Sequence, residues 1–114
     1  MQKTYCIDLD DTICFPNHEH NDSVNKYLKA LPNTKIINQI NKLFDQGAEI
    51  NIFTARRMLT HDGNLKKILE DVEELTVNWL KKNNVQYTKL IFGKPYADHY
   101  VDDKAMSLAE FLLE

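Results

Sequence analysis

The sequence is poor in several features that define specialised classes of protein. Its 114 residues include only two cysteines, Cys6 and Cys14, whose spacing fits neither a disulfide framework nor a CxxC metal or redox site. No apolar run approaches the roughly 20 residues that span a bilayer, and the first four residues show no signal-peptide pattern. These absences predict a cytoplasmic protein with two idle thiols and no membrane-spanning segment.

Positive charge is also limited. Fourteen basic residues face 17 acidic ones, which gives a formal net charge of -3. This balance supplies no basic surface for a nucleic-acid partner and gives no support to binding at a membrane surface. Only two of the basic residues are arginines, and these two, Arg56 and Arg57, are adjacent.

What the sequence does contain is the composition of one globular domain. Hydrophobic residues make up 43% and charged residues 27%, and no repeat, low-complexity tract or linker interrupts the chain. A chain of this length can bury one core but not two. We therefore expect a single domain over residues 1–114.

Hydrophobic patterning predicts strands that alternate with helices. Four apolar runs indicate strands, at Thr4–Leu9, Glu49–Thr54, Tyr87–Phe92 and His99–Val101. Helices are predicted from Asn33 or Thr34 to Gly47, from Leu65 to Asn83, and from Ser107 to the end, with loops at residues 10–23 and 55–63. This order is typical of a small, doubly wound, Rossmann-like parallel sheet with helices on both faces.

Polar groups follow each of the four predicted strands. Asp8 and Asp10 come at the end of the first, about 7 Å apart along the chain, and Thr54 ends the second. Lys94 follows the third strand, and Asp102-Asp103 follow the fourth. Because ligands of such sheets bind beyond the carboxyl ends of the strands, we expect these groups to meet at one edge.

The predicted cluster of carboxylates needs a compensating cation. Two like charges about 4 Å apart repel by about 4 kcal/mol at an effective dielectric of ~20, and oxygen ligands with room for water suit Mg²⁺. A pocket with a metal, an ammonium group, a hydroxyl and a free carboxylate is suited to holding a phosphoryl group. One carboxylate could attack phosphorus while a second moves the proton of the leaving oxygen.

These residues, in this order, resemble the four motifs of the haloacid dehalogenase (HAD) superfamily of phosphotransferases. The matching positions are Asp8-x-Asp10-x-Thr12, Thr54, Lys94 and Asp102-Asp103. The resemblance implies that Asp8 is the nucleophile that forms an aspartyl-phosphate. It also implies that Asp10 is the general acid and base, with its backbone carbonyl on the metal.

The same resemblance assigns the remaining motif residues. Thr54 and Lys94 would hold the transferring phosphate. Asp102 and Asp103 would complete a Mg²⁺ site with Asp8 and Asp10, and we favour Asp103 as the direct ligand of the pair.

Two stretches, TARRMLTHDGNLKKI and FGKPYADHYVDDKA, are similar to small HAD-type proteins found with capsule and surface-polysaccharide biosynthesis genes. This narrower resemblance implies a sugar phosphate or a related metabolite as substrate. The gap after Thr12 is too short for a cap domain, so we expect a capless member. Water would then be excluded by a short flap at residues 13–22, by a bulky substrate or by a second subunit of a homo-oligomer.

Further candidates lie near the second motif. Arg56, Arg57 and His61 are predicted to bind substrate, because guanidinium groups suit phosphate and carboxylate recognition, although one arginine could instead pair with an acidic helix face. His18 and His20 are either a solvated surface pair or part of the flap.

The sequence therefore predicts a Mg²⁺-dependent phosphatase. Two alternatives use similar residues. A phospho-accepting receiver domain of a signalling system would carry its acceptor Asp after a central strand in mid-chain, where this sequence has Thr54. A non-catalytic adaptor that kept the HAD fold would be expected to lack some motif residues.

Overall fold

The computed structural model describes residues 2–17 and 24–114. Nine helices and strands occur in these ranges. In chain order they are β1 (Thr4–Asp8), β2 (Cys14–Phe15), α1 (Asn25–Leu28), β3 (Leu31–Pro32), α2 (Thr34–Asp45), β4 (Glu49–Thr54), α3 (Leu65–Lys82), β5 (Lys89–Phe92) and α4 (Leu108–Phe111).

The central element is a parallel sheet of three strands in the order β1-β4-β5. Asp8 at the end of β1 pairs with Phe53, and Thr54 at the end of β4 pairs with Phe92, so all three strands end at the same edge. Ile50 of the middle strand is fully buried, as expected for a strand with a neighbour on each side. The prediction of a compact α/β domain with a small parallel sheet is confirmed.

The two long helices begin and end close to where the sequence predicts. The Asn33 side chain caps α2 by accepting a hydrogen bond from the Ile36 amide at 3.5 Å, and the Asn64 side chain caps α3 through the Lys67 amide at 3.1 Å. Gly47, with a φ of 96°, follows the end of α2 in the left-handed region. Both helices turn apolar side chains to the core, at positions that include Ile40 of α2 and Val72 of α3.

The predicted loop at residues 10–23 contains one short strand, and two further short elements follow it, none of which the sequence indicated. Cys14–Phe15 pairs antiparallel with Leu31–Pro32, and the short helix α1 lies between these strands in the chain. Strands of two residues and a helix of four are too short for a period of 2.0 or 3.6 to be visible in a sequence.

The prediction of a fourth strand at His99–Val101 is wrong. Val101 is 98% exposed, and the Tyr100 hydroxyl turns back to donate to the Pro95 carbonyl at 2.7 Å and to accept from the Ala97 amide at 3.0 Å. The segment thus closes on itself and adds no strand beside β1. Three residues flanked by charged and polar side chains offered too little apolar surface to favour a buried strand.

The doubly wound arrangement with helices on both faces stays a prediction. A doubly wound sheet reverses its strand order, which here would need a strand on the free side of β1. Across residues 2–17 and 24–114, the structure has neither such a strand nor an inserted cap domain. None of the helices in these two ranges combines the length and the apolar character that crossing a membrane requires.

Candidate active site

A pocket of about 480 Å³ opens at the edge where the parallel strands end. Carboxylates and cations share its lining with aromatic side chains, in a set that includes Asp8, Asp10, Asp11, Lys26, Arg56, Arg57, Lys94, Tyr27, Tyr96 and Tyr100. This volume is in the range of pockets that take small metabolites, and it exceeds what a phosphoryl group alone would fill.

Asp8 and Lys94 form an ion pair inside this pocket. The Lys94 ammonium nitrogen lies 3.3 Å from Asp8 Oδ1, and the two side chains are 33% and 12% exposed for Asp8 and Lys94, respectively. The Lys94 amide donates to the Thr54 carbonyl at 3.1 Å, which fixes the loop after β5 against the end of β4. Burial raises the pKa of Asp8 and the charge of Asp10 adds to this, while Lys94 opposes both.

Asp10 faces the second predicted motif. The Thr54 hydroxyl lies 3.5 Å from Asp10 Oδ2, and the guanidinium of Arg56 donates to both carboxylate oxygens of Asp10 at 2.8 to 3.1 Å. The Arg56 amide in turn donates to the Thr54 hydroxyl oxygen at 3.0 Å. Thr54 at the end of β4 and Arg56 just after it are thus two partners of Asp10, and Cys14 Sγ, 3.5 Å from Asp10 Oδ1, is a third.

Arg56 is an interior residue, with a side chain that is 0% exposed. Besides Asp10, its guanidinium donates a hydrogen bond to the Thr76 hydroxyl at 2.8 Å and contacts Cys14 Sγ at 3.6 Å. The central guanidinium carbon, Cζ, lies 4.3 Å from the centre of the Tyr27 ring. Each of its three side-chain nitrogens therefore has a partner in the protein. The geometry therefore favours a role for Arg56 in positioning Asp10. The contact of Arg56 with substrate stays a prediction.

Cys14 is part of the same interior cluster. Burial, reinforced by the neighbouring Asp10 charge, raises the pKa of its thiol to about 12. A thiol with so high a pKa is not a nucleophile at neutral pH. Cys14 and the exposed Cys6 are both free, which agrees with the prediction that neither forms a disulfide.

The second arginine, Arg57, pairs with Asp71 and not with Asp10. Arg57 Nε donates to Asp71 Oδ2 at 2.8 Å, and His61 Nε2 lies 2.9 Å from the same oxygen. The hydrogen bond from Arg57 is the main cause of a lowered pKa of Asp71, and the bond with His61 acts in the same sense. Asp71 belongs to the acidic turn of α3, so Arg57 pairs with an acidic helix face and also lines the pocket.

Asp102 and Asp103 do not line the pocket. Both are exposed, and Asp102 Oδ1 accepts a hydrogen bond from the Lys104 amide at 2.8 Å. That bond, together with one from Asp103, lowers the pKa of Asp102. In the part of the chain that the structure describes, no group of three or more His, Cys, Asp or Glu side chains could hold a metal ion. The structure thus unites three of the four predicted motifs.

Some site residues were missed or fall outside the described ranges. Tyr27 belongs to a helix too short for its period to be read, but Thr76 carried a signal, because it is a polar residue on the buried face of α3. His18, His20 and half of the predicted flap lie outside residues 2–17 and 24–114.

The chain is similar in sequence and in fold to a protein of known structure. The crystal structure of an MCSG target protein from Vibrio cholerae is 33% identical to this chain, with a TM-score of 0.84, and the match covers 97% of this chain and 88% of that one. This chain belongs to the same protein family as the Vibrio cholerae protein.

A more distant likeness concerns the fold alone. A chain in the structure of a Pnkp1/Rnl/Hen1 complex is 21% identical, with a TM-score of 0.60, and the match covers 99% of this chain but 34% of that one. No protein-family model matches the sequence, and no curated protein matches it significantly.

Proposed function

We propose that this protein is a capless phosphatase of the HAD type, which hydrolyses phosphomonoesters through an aspartyl-phosphate with the help of Mg²⁺. One observation carries the proposal. Asp8 faces Lys94 and Asp10 faces Thr54 within a single pocket, at the carboxyl ends of parallel strands. These contacts bring together residues 86 positions apart in a sequence of 114.

The first chemical step would use the two carboxylates in different roles. An oxygen of Asp8 attacks phosphorus, the bond from phosphorus to the leaving oxygen breaks, and Asp10 gives that oxygen its proton. Lys94 lies beside Asp8, where its ammonium group can balance charge on the transferring phosphoryl group. The buried Arg56 holds Asp10 by both oxygens, so the acid keeps one orientation.

The second step would regenerate the enzyme. Asp10, now a carboxylate, removes a proton from a water molecule, and that water attacks the phosphorus of the aspartyl-phosphate. The bond between phosphorus and Asp8 breaks, releasing inorganic phosphate. Transfer to another acceptor would use the same residues with an alcohol in place of water.

The donor set of the pocket fits Mg²⁺ in a substrate-assisted site. Magnesium commonly takes one or two carboxylates from the protein and completes its shell with water and substrate phosphate. Asp8 provides a carboxylate at the pocket, and the HAD resemblance assigns the backbone carbonyl of Asp10 to the metal, whereas the Asp10 carboxylate is held by Arg56. When bound, the ion would neutralise charge on the phosphoryl oxygens. Asp102 and Asp103 stay predicted ligands that lie outside the pocket as described.

The substrate we propose is a sugar phosphate or a related metabolite of polysaccharide biosynthesis. The pocket supports a substrate larger than a phosphate ion, because its lining continues from the carboxylates to Tyr96 and Tyr100. These tyrosines are 60% and 51% exposed, so the pocket has an open aromatic rim that a second subunit or the substrate itself could cover.

The test is a screen of phosphorylated metabolites, with emphasis on sugar phosphates, with and without Mg²⁺. We expect Mg²⁺-dependent release of phosphate over many turnovers, which Asp8→Asn abolishes without loss of the fold. Asp62→Asn is the matched control, because Asp62 is exposed in the left-handed region, which Asn tolerates. A single stoichiometric phosphorylation would instead indicate a receiver domain, and absence of both Mg²⁺ binding and turnover would indicate an adaptor.

A further inference from the structure

Arg57 lies in the wall of the pocket in a constrained conformation. Its φ of 61° places it in the left-handed region, which residues with a Cβ adopt at an energetic cost. The His61 amide donates to its carbonyl at 3.0 Å, and Asp71 fixes its side chain through Nε. Strain of this kind persists where the surroundings determine the conformation, and it is concentrated at functional sites.

The guanidinium of Arg57 is only partly used by the protein. Nε bonds Asp71, whereas the two terminal nitrogens have no hydrogen-bond partner within residues 2–17 and 24–114. This differs from Arg56, whose three side-chain nitrogens all have partners. The side chain of Arg57 is 18% exposed, and it lines the same pocket as Asp8 and Lys94.

Two of the cationic side chains that line the pocket do not pair with Asp8 or Asp10. Four cationic side chains and three carboxylates line it, and two of these cations already pair with Asp8 and Asp10. The other two are Arg57 and Lys26, and the Lys26 ammonium lies 5.1 Å from the centre of the Tyr27 ring. A phosphoryl group held at Asp8 and Lys94 therefore leaves Lys26 and the two terminal nitrogens of Arg57, whose Nε pairs with Asp71, for a different group.

We propose that Arg57, oriented by Asp71, binds a second anionic group of the substrate. The inference rests on the proposed phosphatase function and narrows its substrate class. The substrate would be a phosphomonoester whose leaving group carries a carboxylate or a further phosphate. A planar guanidinium with two free nitrogens can grip either anion through two hydrogen bonds.

Binding to the inactive Asp8→Asn protein with Mg²⁺ tests this directly. Calorimetry would compare the affinities for three phosphomonoesters. Fructose 1,6-bisphosphate carries a second phosphate, 3-phosphoglycerate carries a carboxylate, and glucose 6-phosphate carries no second anion. We expect one or both of the first two to bind about 10- to 100-fold more tightly than glucose 6-phosphate, as charge-assisted hydrogen bonds allow. Whichever binds tightly identifies the anion.

In the Asp8→Asn protein, the additional substitution Arg57→Gln should remove this preference. It should change the affinity for glucose 6-phosphate by less than about threefold. Lys66→Gln is the matched control, because Lys66 is an exposed cation that does not line the pocket. Asp71→Asn, which keeps Arg57 but loosens it, should weaken binding of the two-anion ligands less than Arg57→Gln does. In the active protein, Asp71→Asn should raise KM for these substrates and leave kcat unchanged.

Equal affinity for the three ligands, or an equal loss for all three in Arg57→Gln, would overturn the inference. If Arg57→Gln does not fold, the ligand preference and the Asp71→Asn variant still decide. The two proposals fail separately. Loss of the preference with intact turnover contradicts only the second-anion site, whereas an Arg57-dependent preference without turnover of any phosphomonoester contradicts only the phosphatase function.

Discussion

At the scale of single residues, the pairing of Arg56 with Asp10 is the best-defined contact in the site. A fully buried guanidinium holds a carboxylate by both oxygens, and Thr76 and Tyr27 hold the guanidinium. A general acid contributes most when the leaving oxygen is a poor leaving group. The pairing should therefore matter more for alkyl phosphates than for aryl phosphates.

Arg56→Lys tests this role, because an ammonium group cannot reproduce the forked contact. We expect kcat/KM on a sugar phosphate to fall about 100-fold or more, and kcat/KM on p-nitrophenyl phosphate to fall much less. Asp10→Asn should show the same dependence on the leaving group, and it serves as the reference. Equal losses on both substrates would show that Arg56 does not act through the general acid.

The ion pair between Asp8 and Lys94 predicts the pH dependence of the reaction. A protonated carboxyl is not a nucleophile, so kcat/KM should fall as the pH drops through the pKa of Asp8 in the free enzyme. Burial raises this pKa and Lys94 lowers it. Bound Mg²⁺ would also favour the charged form of Asp8, so at one fixed, saturating Mg²⁺ concentration Lys94→Gln should move the acidic limb to higher pH. A limb that stays in place or moves to lower pH in Lys94→Gln contradicts the assignment of Asp8.

At the scale of helices and strands, the sequence predicted the elements that have a hydrophobic pattern over many residues or a clear capping residue. The helix α3 has 18 residues with apolar positions in steps of three and four, and Asn64 caps it as a helix-start signal should. The strand β4 is a six-residue apolar run. Local patterning fixes such elements because each buries one continuous face.

Shorter elements could not be predicted because tertiary contacts decide them. Among the described residues, β2 and β3 form a two-stranded sheet with each other, and Cys14 makes one further bridge, with Asp10. The opposite error occurred at residues 99–101, where a short apolar stretch looked like a strand but found no partner. In the site, the contacts among Asp8, Asp10, Thr54 and Lys94 could be predicted because these residues lie at the ends of strands. The partners of Arg56 could not be predicted, because they depend on tertiary contacts.

Asn33 links the cap of α2 to the loop that carries the first motif. Its side chain caps the helix at Ile36, and it donates to the Thr12 carbonyl at 3.0 Å. Asn33→Ala should lower the free energy of unfolding by about 1 kcal/mol, as measured by urea denaturation. Asn33→Asp keeps the cap and loses only the Thr12 contact, so it should be destabilised less. Equal losses in the two variants would mean that the cap contributes nothing.

At the scale of the whole molecule, the pocket is assembled from segments far apart in the chain. Three strand ends meet there, while the fourth predicted motif, Asp102-Asp103, lies on an exposed segment outside the pocket. The free side of β1 is the place where this segment would have to bind to reach the carboxylates. The proposed metal site would need that approach, and no strand within residues 2–17 and 24–114 pairs with that side of β1.

Asp103→Asn tests whether this segment contributes to metal binding. We expect the Mg²⁺ concentration for half-maximal activity to rise about tenfold or more, as for loss of a metal ligand. Asp98→Asn removes an exposed carboxylate from the same segment and should leave the Mg²⁺ dependence unchanged. An unchanged Mg²⁺ dependence in Asp103→Asn would show that Asp8 and Asp10 suffice.

The most direct measurement on the central claim is to trap the covalent intermediate. The protein would be mixed with Mg²⁺ and its best substrate, quenched in acid within one turnover, and mapped by mass spectrometry after borohydride reduction of acyl phosphates. We expect one phosphoryl group per chain, located on Asp8 and absent from Asp8→Asn. Turnover without any phosphoryl group on Asp8, or full activity of Asp8→Asn, would contradict the proposed mechanism.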